Sequence, residues 1–445
     1  MKLTIHRGSH EIGGSCVEIK SGKTRILLDF GIPLKDPSGV DFDEQNIADR
    51  SLEALIRKKY LFDIKGLYKN SSPTIDAVFI SHSHKDHYGF IPHINPEIPI
   101  YLSEGAYELI CALNVFLPQD KRTFIHKIKF LRDKKKIVIG NLSVTPYLVD
   151  HSGFNSMGFI VKEEKTGKSI LYTGDFRAGG WTKKRYYSFL KEPLNPIDYL
   201  LIEGTMIDRK EGKYPNEEAV VQGVIETIQK SKNTLIPVYC SGQNIDRIVS
   251  LYKAARKTKS LLVLDPYTAY ILGIVGRITG TTPELEWKGI RVFVANYGRG
   301  DIYVEKIYKS ANKELIRNIG IKKIKPQNFA QLKQKALLLM RNKMIPVIEE
   351  IPQIKDSTLI YSQWKGYIAK GKPDAKKFWE FIKKNNINVE YIHASGHAIL
   401  DVLKEFAKKV NAKYILPIHT EHPEKFKKYF GNTVVSYNDG QCFDV

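Results

Sequence analysis

His82-Ser83-His84-Lys85-Asp86-His87 comes one residue after the run Thr74-Ile75-Asp76-Ala77-Val78-Phe79-Ile80. The run is apolar and β-branched, and reads as a buried strand. Three imidazoles and a carboxylate directly after a strand can feed two metal ions from one loop. Imidazole suits Zn²⁺ and other borderline cations, and a carboxylate can bind or bridge. The bland alternative is a polar surface loop. The chain has only 12 histidines in 445 residues, which makes three of them in this loop a poor chance outcome.

The same arrangement recurs further along. Leu142–Val149 reads as a strand before His151, Ser169–Tyr172 as a strand before Asp175, and Ile197–Ile202 as a strand before Glu203. Taken singly, His151 and Asp175 read as a satisfied histidine and a cap. Beside the cluster they become candidates to complete a metal shell, with strands fixing position and loops presenting ligands. Upstream, Lys2–His6, Ser15–Lys20 and Thr24–Asp29 read as strands, with a turn at Ser21-Gly22. Residues 41–70 read as a polar helix and then loop.

After residue 206 the rhythm changes. Helical spacing over Glu217–Lys230 and Asn244–Lys257 alternates with strands at Thr234–Tyr239 and Ser260–Leu264, which indicates a parallel sheet in a second domain. Residues 305–345 read as helical and lysine-rich, and Thr358–Tyr361 as a strand leading back to the first domain. Asn388–Ile392 precedes His393 and His397, and Tyr414–Pro417 precedes His419. Thr433–Tyr437 and Gln441–Asp444 read as a hairpin across Asn438-Asp439-Gly440. The expected organisation is a first domain over 1–206, an α/β insertion over 207–357 and a return segment over 358–445.

Composition narrows the partners. Lys+Arg minus Asp+Glu is 69 − 48 = +21, which suits a polyanion, nucleic acid before an acidic membrane surface. A lysine-rich composition set by genome bias is the competing reading. Hydrophobic residues at 42% exclude a mainly disordered chain. Four scattered cysteines without a Cys-x-x-Cys pair argue against disulfides and thiolate zinc, and fit a reducing cytoplasm. Met1–Gly14 lacks the apolar run of a signal peptide, and Leu261–Ile278 is too interrupted to span a membrane. Lys127, Lys129, Arg132 and Lys134–Lys136, and Lys183-Lys184-Arg185 with Trp181, Tyr186 and Tyr187, could track a backbone and stack bases. A solvated face with core aromatics explains either patch equally. The loop Tyr239–Asn244 could meet phosphate at a helix start, or be a cap made by Ser241.

The His-x-His-x-Asp-His cluster, His151 in Val149–Ser152, Thr173-Gly174-Asp175 and Leu27-Leu28-Asp29-Phe30-Gly31 together resemble the metallo-β-lactamase superfamily. Ile202-Glu203-Gly204-Thr205, Ala394-Ser395-Gly396-His397 and Pro417-Ile418-His419 resemble the further motifs of its β-CASP nucleases, and the α/β insertion sits where those proteins carry their extra domain. Within them, His393–His397 is most similar to ribonuclease J and its archaeal relatives. The opening of the chain and the absence of residues far beyond His419 depart from bacterial ribonuclease J.

The resemblance implies an α/β fold, a metallo-β-lactamase αββα sandwich with an inserted β-CASP domain. It implies two Zn²⁺ per chain, with Mn²⁺ as the alternative. His82, His84 and His151 would hold the first ion, and Asp86, His87 and His419 the second. Asp175 would bridge them, Asp29 would orient a ligand, and Glu203 would orient His397. His393 and Ser395 would seat a substrate phosphate; Ser395 could instead cap the helix expected from about Ala398 to Val410.

The implied activity is hydrolysis of phosphodiester bonds in single-stranded RNA, chiefly 5′-to-3′, leaving 5′ phosphate and 3′ hydroxyl. His397 would be the general acid, with Asp86, Asp175 and Glu203 beside it in the catalytic centre. DNA is a second polynucleotide to test, a homodimer is the expected assembly, and no membrane is involved. Two alternatives stand against this: a small-molecule metallo-hydrolase of the same fold, and an inactive RNA-binding subunit of a processing complex.

Overall fold

The computed structural model describes residues 1–44, 50–192, 194, 196–209, 212–294, 302–310, 312–372 and 375–445. The chain divides into two units, Met1–Lys210 with Gly396–Val445, and Glu211–Ser395.

The first unit is built from two sheets. One is seven-stranded, with Lys2–Arg7, Cys16–Ser21 and Thr24–Leu28 antiparallel in turn, followed by Ala77–Phe79, Ile100–Ser103 and Ile128–Leu131 in parallel; Cys442–Asp444 closes its other edge against Lys2–Thr4. The other is six-stranded and pairs Ile137–Ile139, Leu142–Leu148, Met157–Glu163 and Ser169–Tyr172 antiparallel, then Tyr199–Glu203 and Tyr414–Ile418 in parallel.

Alternation along the strands makes the layers. Ile26, Leu28, Ala77 and Phe79 face Val144, Phe159, Val161, Tyr172 and Leu201 in the core between the sheets. Their neighbours Leu27, Val78 and Ile80 turn outward onto a second core with Leu55, Ala106 and Ile110 of helices Leu52–Arg57 and Glu104–Phe116. On the far side, Leu200 and Ile202 pack with Phe189, Leu403, Phe406 and Phe426 of helices Lys184–Lys191, Leu400–Val410 and Pro423–Phe430. Helix, sheet, sheet and helix form the expected four-layer sandwich.

The second unit is a seven-stranded, all-parallel sheet. Its spatial order is Lys323–Ile324, Ile290–Phe293, Leu261–Leu264, Ala336–Met340, Leu235–Tyr239, Thr358–Tyr361, Asn388–Tyr391. This corrects the expected return point. Thr358–Tyr361 pairs with Val238 and Tyr239, and Asn388–Tyr391 pairs with Thr358–Tyr361, so both strands belong to the second unit. The lysine-rich region is also not wholly helical: Ala336–Met340 is a fully buried strand between Leu235–Tyr239 and Leu261–Leu264.

Smaller differences follow from local pairing. Of the polar helix expected after residue 41, Leu52–Arg57 is helical and capped by Ser51, while residues 45–49 lie outside the described residues. The C-terminal hairpin is absent among the described residues, because Cys442–Asp444 pairs with the first strand and Val434 bridges Ile415. Asn244 rather than Ser241 caps helix Ile245–Lys257, and helix Leu400–Val410 starts after Ile399 without a cap from Ser395.

Candidate metal centre

Parallel pairing collects the polar residues. Ser169–Tyr172, Tyr199–Glu203 and Tyr414–Ile418 run side by side with Tyr172 opposite Leu201 and Glu203 opposite Ile418. Their carboxyl ends therefore deliver Asp175, Glu203 and His419 together. In the facing sheet, Leu28 lies opposite Phe79, so Asp29 and the histidine loop leave neighbouring strands at the same level.

The loop is clamped by backbone. Phe30 N donates to the His87 carbonyl at 2.8 Å, Ile32 N to the Lys85 carbonyl at 3.1 Å, and Ser15 N to the Asp86 carbonyl at 3.1 Å. The approach is so close that a Cβ on Gly31 would lie 1.6 Å from the Asp86 carbonyl oxygen, which explains the glycine of the Leu27–Gly31 motif.

Asp29 is fully buried and adopts a left-handed φ of 59°. Its Oδ1 accepts from Ser81 N at 2.7 Å; its Oδ2 accepts from Ser81 Oγ at 2.8 Å, Tyr172 OH at 2.6 Å and His87 Nδ1 at 2.8 Å. The His87 proton is thereby held on Nδ1 and Nε2 faces the centre. Ser81 Oγ, its proton committed to Asp29, lies 3.0 Å from His82 Nδ1, so that nitrogen also donates and leaves Nε2 inward. His151 Nδ1 lies 2.6 Å from the Gly396 carbonyl, which can only accept, and its Nε2 likewise turns inward.

Two ligand sets result. His82 Nε2 and His151 Nε2 lie 2.9 and 3.3 Å from His84 Nδ1. Asp86 Oδ2 lies 3.3 Å from His419 Nε2 and 3.8 Å from His87 Nε2. Asp175 Oδ2 stands between them, 3.2 Å from His87 Nε2, 3.8 Å from His82 Nε2 and 4.0 Å from His151 Nε2. Within each of the triads His82/His84/His151, His82/His87/Asp175 and Asp86/His87/His419, the ligand atoms lie within 4.8 Å of one another.

These donors fit divalent cations. Two ligands at about 2.0–2.1 Å on a tetrahedral ion sit ~3.3 Å apart, close to the spacing of the imidazole nitrogens. Among the described residues, His87 Nε2 and Asp175 Oδ1 are buried without a hydrogen-bond partner, an expense that a cation between them would remove. Burial pushes His82 and His151 well below the usual imidazole range, which keeps their lone pairs available. Burial acts the same way on His87, but Asp175 and Asp29 outweigh it and hold that imidazole well above its ordinary value. Against burial, His419, His87 and His397 keep the Asp175 carboxyl well below its ordinary range, so it stays an anion.

Beside this centre stands a Glu–His pair. Glu203 is fully buried; its Oε2 accepts from Thr205 N at 2.9 Å and its Oε1 from Ala398 N at 3.0 Å, and Oε1 lies 3.5 Å from His397 Nδ1. His397 Nδ1 is also 3.8 Å from Asp175 Oδ2. Burial lowers the His397 pKa, but Glu203 and then Asp175 reverse this and raise it above the ordinary value.

The structure thus brings together His82, His84, Asp86, His87, His151, Asp175, His419, Glu203, His397 and Asp29. His393 and Ser395 lie in the second unit, just after strand Asn388–Tyr391. Four supporting groups go beyond those assigned from sequence. Ser81 and Tyr172 share Asp29, Thr205 Oγ1 lies 2.9 Å from His419 Nδ1, and Asp150 pins the next loop by accepting from Gly180 N at 2.7 Å and Thr182 Oγ1 at 2.8 Å. Thr205 and Asp150 fall inside quoted motifs, whereas Ser81 and Tyr172 carry no sequence signal. The basic patches divide. Tyr186 and Phe189 are core residues, Lys134 pairs with Glu192 and Lys136 with Glu164, while Tyr187 and Phe130 are exposed.

A four-layer sandwich with this histidine–aspartate loop at its strand ends is a metallo-β-lactamase fold, and residues 60–236 match the family model described as a beta-lactamase superfamily domain. Nearly the whole chain is similar to proteins named as ribonucleases. It is 26% identical over 453 residues to the probable RNase MJ4 of Methanocaldococcus jannaschii, covering 95% of this chain and 93% of that one. It is 22% identical over 438 residues to ribonuclease J of Helicobacter pylori strain B128, covering 95% of this chain but 56% of that longer protein. A crystal structure of a protein of unknown function from Enterococcus faecalis V583 matches with a TM-score of 0.78 at 22% identity, over 99% of both chains. Among the described residues, no helix is long and apolar enough to cross a membrane.

Proposed function

We propose that this protein is a metal-dependent ribonuclease that hydrolyses phosphodiester bonds in single-stranded RNA, chiefly as a 5′-to-3′ exonuclease. The observation that carries the reading is the Glu203–His397 pair beside the two ligand sets joined by Asp175. A small-molecule hydrolase needs the metals but has no use for a second buried acid–imidazole pair, and an inactive scaffold has no use for either. The relatives named as ribonucleases support the same reading.

His82, His84 and His151 would hold one Zn²⁺, and Asp86, His87 and His419 a second, with Asp175 shared and Mn²⁺ the alternative. Such a pair supplies a nucleophile at neutral pH and offsets charge on the phosphate. The protein's own part is orientation and proton transfer. Asp29, Ser81 and the Gly396 carbonyl fix the imidazole tautomers, and Thr205 steadies His419. Glu203 holds a proton on His397 Nδ1, which leaves Nε2–H to protonate the departing 3′ oxygen. Products carry a 5′ phosphate and a 3′ hydroxyl. His393 and Ser395 receive the terminal phosphate, and the +21 charge favours the polyanion.

The test uses 3′-labelled single-stranded RNA bearing a 5′ monophosphate or triphosphate, with the matching DNA as a control. Mononucleotides released from the 5′ end, faster on monophosphate, are expected. Internal cuts indifferent to the 5′ group would keep the chemistry and overturn the exonuclease assignment.

A further inference from the structure

The second unit buries one arginine completely. Arg247, in the first turn of helix Ile245–Lys257, is 0% exposed and heads the largest fully buried side chains. A guanidinium out of water must have its donors met. Nε and Nη2 donate to Glu217, itself fully buried, at 3.1 and 3.0 Å, and Nη2 also meets the Ala394 carbonyl at 3.1 Å. Nη1 donates to the Ser362 carbonyl at 2.8 Å and to Ser362 Oγ at 2.5 Å, and lies 3.2 Å from His393 Nδ1. Ser250 Oγ donates to the same Glu217 carboxylate at 2.6 Å. One side chain therefore ties the starts of two helices to the ends of strands Thr358–Tyr361 and Asn388–Tyr391.

The chemistry of that contact fixes a proton. A guanidinium has only donors and stays charged. A histidine nitrogen 3.2 Å from it must present a lone pair, because a proton on His393 Nδ1 would set N–H against N–H and one positive charge beside another. We propose that the Arg247–Glu217 pair locks His393 as the neutral tautomer with its proton on Nε2, and holds the His393-Ala394 main chain in place. His393 then meets a phosphate oxygen as a hydrogen-bond donor and cannot serve as a cationic clamp. Arg247 is a positioning residue that acts through His393. The substrate half of this proposal rests on the ribonuclease reading, and the tautomer does not.

The experiment is a long-range ¹H–¹⁵N correlation spectrum of the full-length protein labelled with ¹⁵N-histidine, with His393 assigned by the signals lost in His393→Gln. At neutral pH, an unprotonated Nδ1 and a protonated Nε2 are expected for His393. The opposite tautomer, or an imidazolium, overturns the proposal whether or not the protein cleaves RNA. In parallel, Arg247→Lys keeps the charge and loses the fork. If it melts as a folded protein, KM for 5′-monophosphorylated RNA should rise about tenfold, the loss of one hydrogen bond, with kcat within about twofold. An unchanged KM overturns the substrate half, and the wild-type spectrum still decides the tautomer if Arg247→Lys does not fold. Wild-type protein that cleaves no RNA strikes the ribonuclease reading alone.

Discussion

Asp29→Asn is the substitution whose cost can be worked from contacts alone. Position 29 has a φ of 59°, which Asn tolerates at least as readily as Asp, so the change removes charge and one acceptor with little backbone strain. Ala would add strain and confuse the result. The buried carboxylate meets donors at both oxygens: Ser81 N on Oδ1, and Ser81 Oγ, Tyr172 OH and His87 Nδ1 on Oδ2. A carboxamide must place its NH₂ at one of them. At Oδ1 it opposes the Ser81 N–H, and at Oδ2 it opposes His87. A lost charge-assisted bond costs about 1.5–3 kcal/mol and an unmet buried donor about 1–3 more, so the fold should lose ~3–5 kcal/mol. His87 Nε2 also loses its fixed aim, which should weaken zinc binding about 10–100-fold. Urea unfolding of the chelated protein reads the first quantity, and competition with a chromophoric chelator reads the second. A stability loss below about 1 kcal/mol with unchanged zinc affinity would show that Asp29 does not carry these contacts.

Three further outcomes are expected. Gly31→Ala puts a Cβ 1.6 Å from the Asp86 carbonyl oxygen and should cost about 3 kcal/mol or more or displace the loop; a folded variant with full metal content would contradict the clamp. His397→Ala and Glu203→Gln should each lower kcat about 10²–10⁴-fold, and the double variant should be little worse than His397→Ala alone; multiplying losses would show that the two act separately. Glu18 gives a pH effect away from the centre. Burial pushes its carboxyl up, but hydrogen bonds from His6 and Arg25 prevail and bring it to about 2. Because the folded pKa is depressed, this stabilisation is full above the ordinary carboxylate range and is lost as pH falls toward 2, so the stability gap between wild type and Glu18→Gln should narrow over that interval. A gap that does not change with pH would contradict the pairing.

The parts of this site that could be read from the sequence are those fixed by strand ends. A buried strand runs to its last apolar residue, and the first polar residue after it lands at the sheet's carboxyl edge. That is why the His82–His87 loop stands out first, and why His151, Asp175, Glu203 and His419, each at or just after a strand end, gain weight beside it. What pairing decides could not be read in this way. Thr358–Tyr361 and Asn388–Tyr391 read locally as short strands like those of the first unit, and only register shows that they join the second sheet. Ala336–Met340 follows a lysine-rich helical stretch, and its five apolar residues fit a buried helix turn as well as a strand. Ser81 and Tyr172 support the centre through single hydroxyls far apart in sequence, brought together at Asp29 by the packing of two sheets. No local pattern marks such a pair.

On the proposed reading, these converging side chains hold metal ions that serve the cleavage of RNA. The most direct test is protein reconstituted with zinc or manganese, with its metal content measured, acting on single-stranded RNA. Cleavage to products with 5′ phosphates is expected, abolished by chelation and by Asp175→Asn. Intact RNA in the presence of protein with both metals bound would contradict that reading, the more so if the same protein turned over a chromogenic ester or lactam.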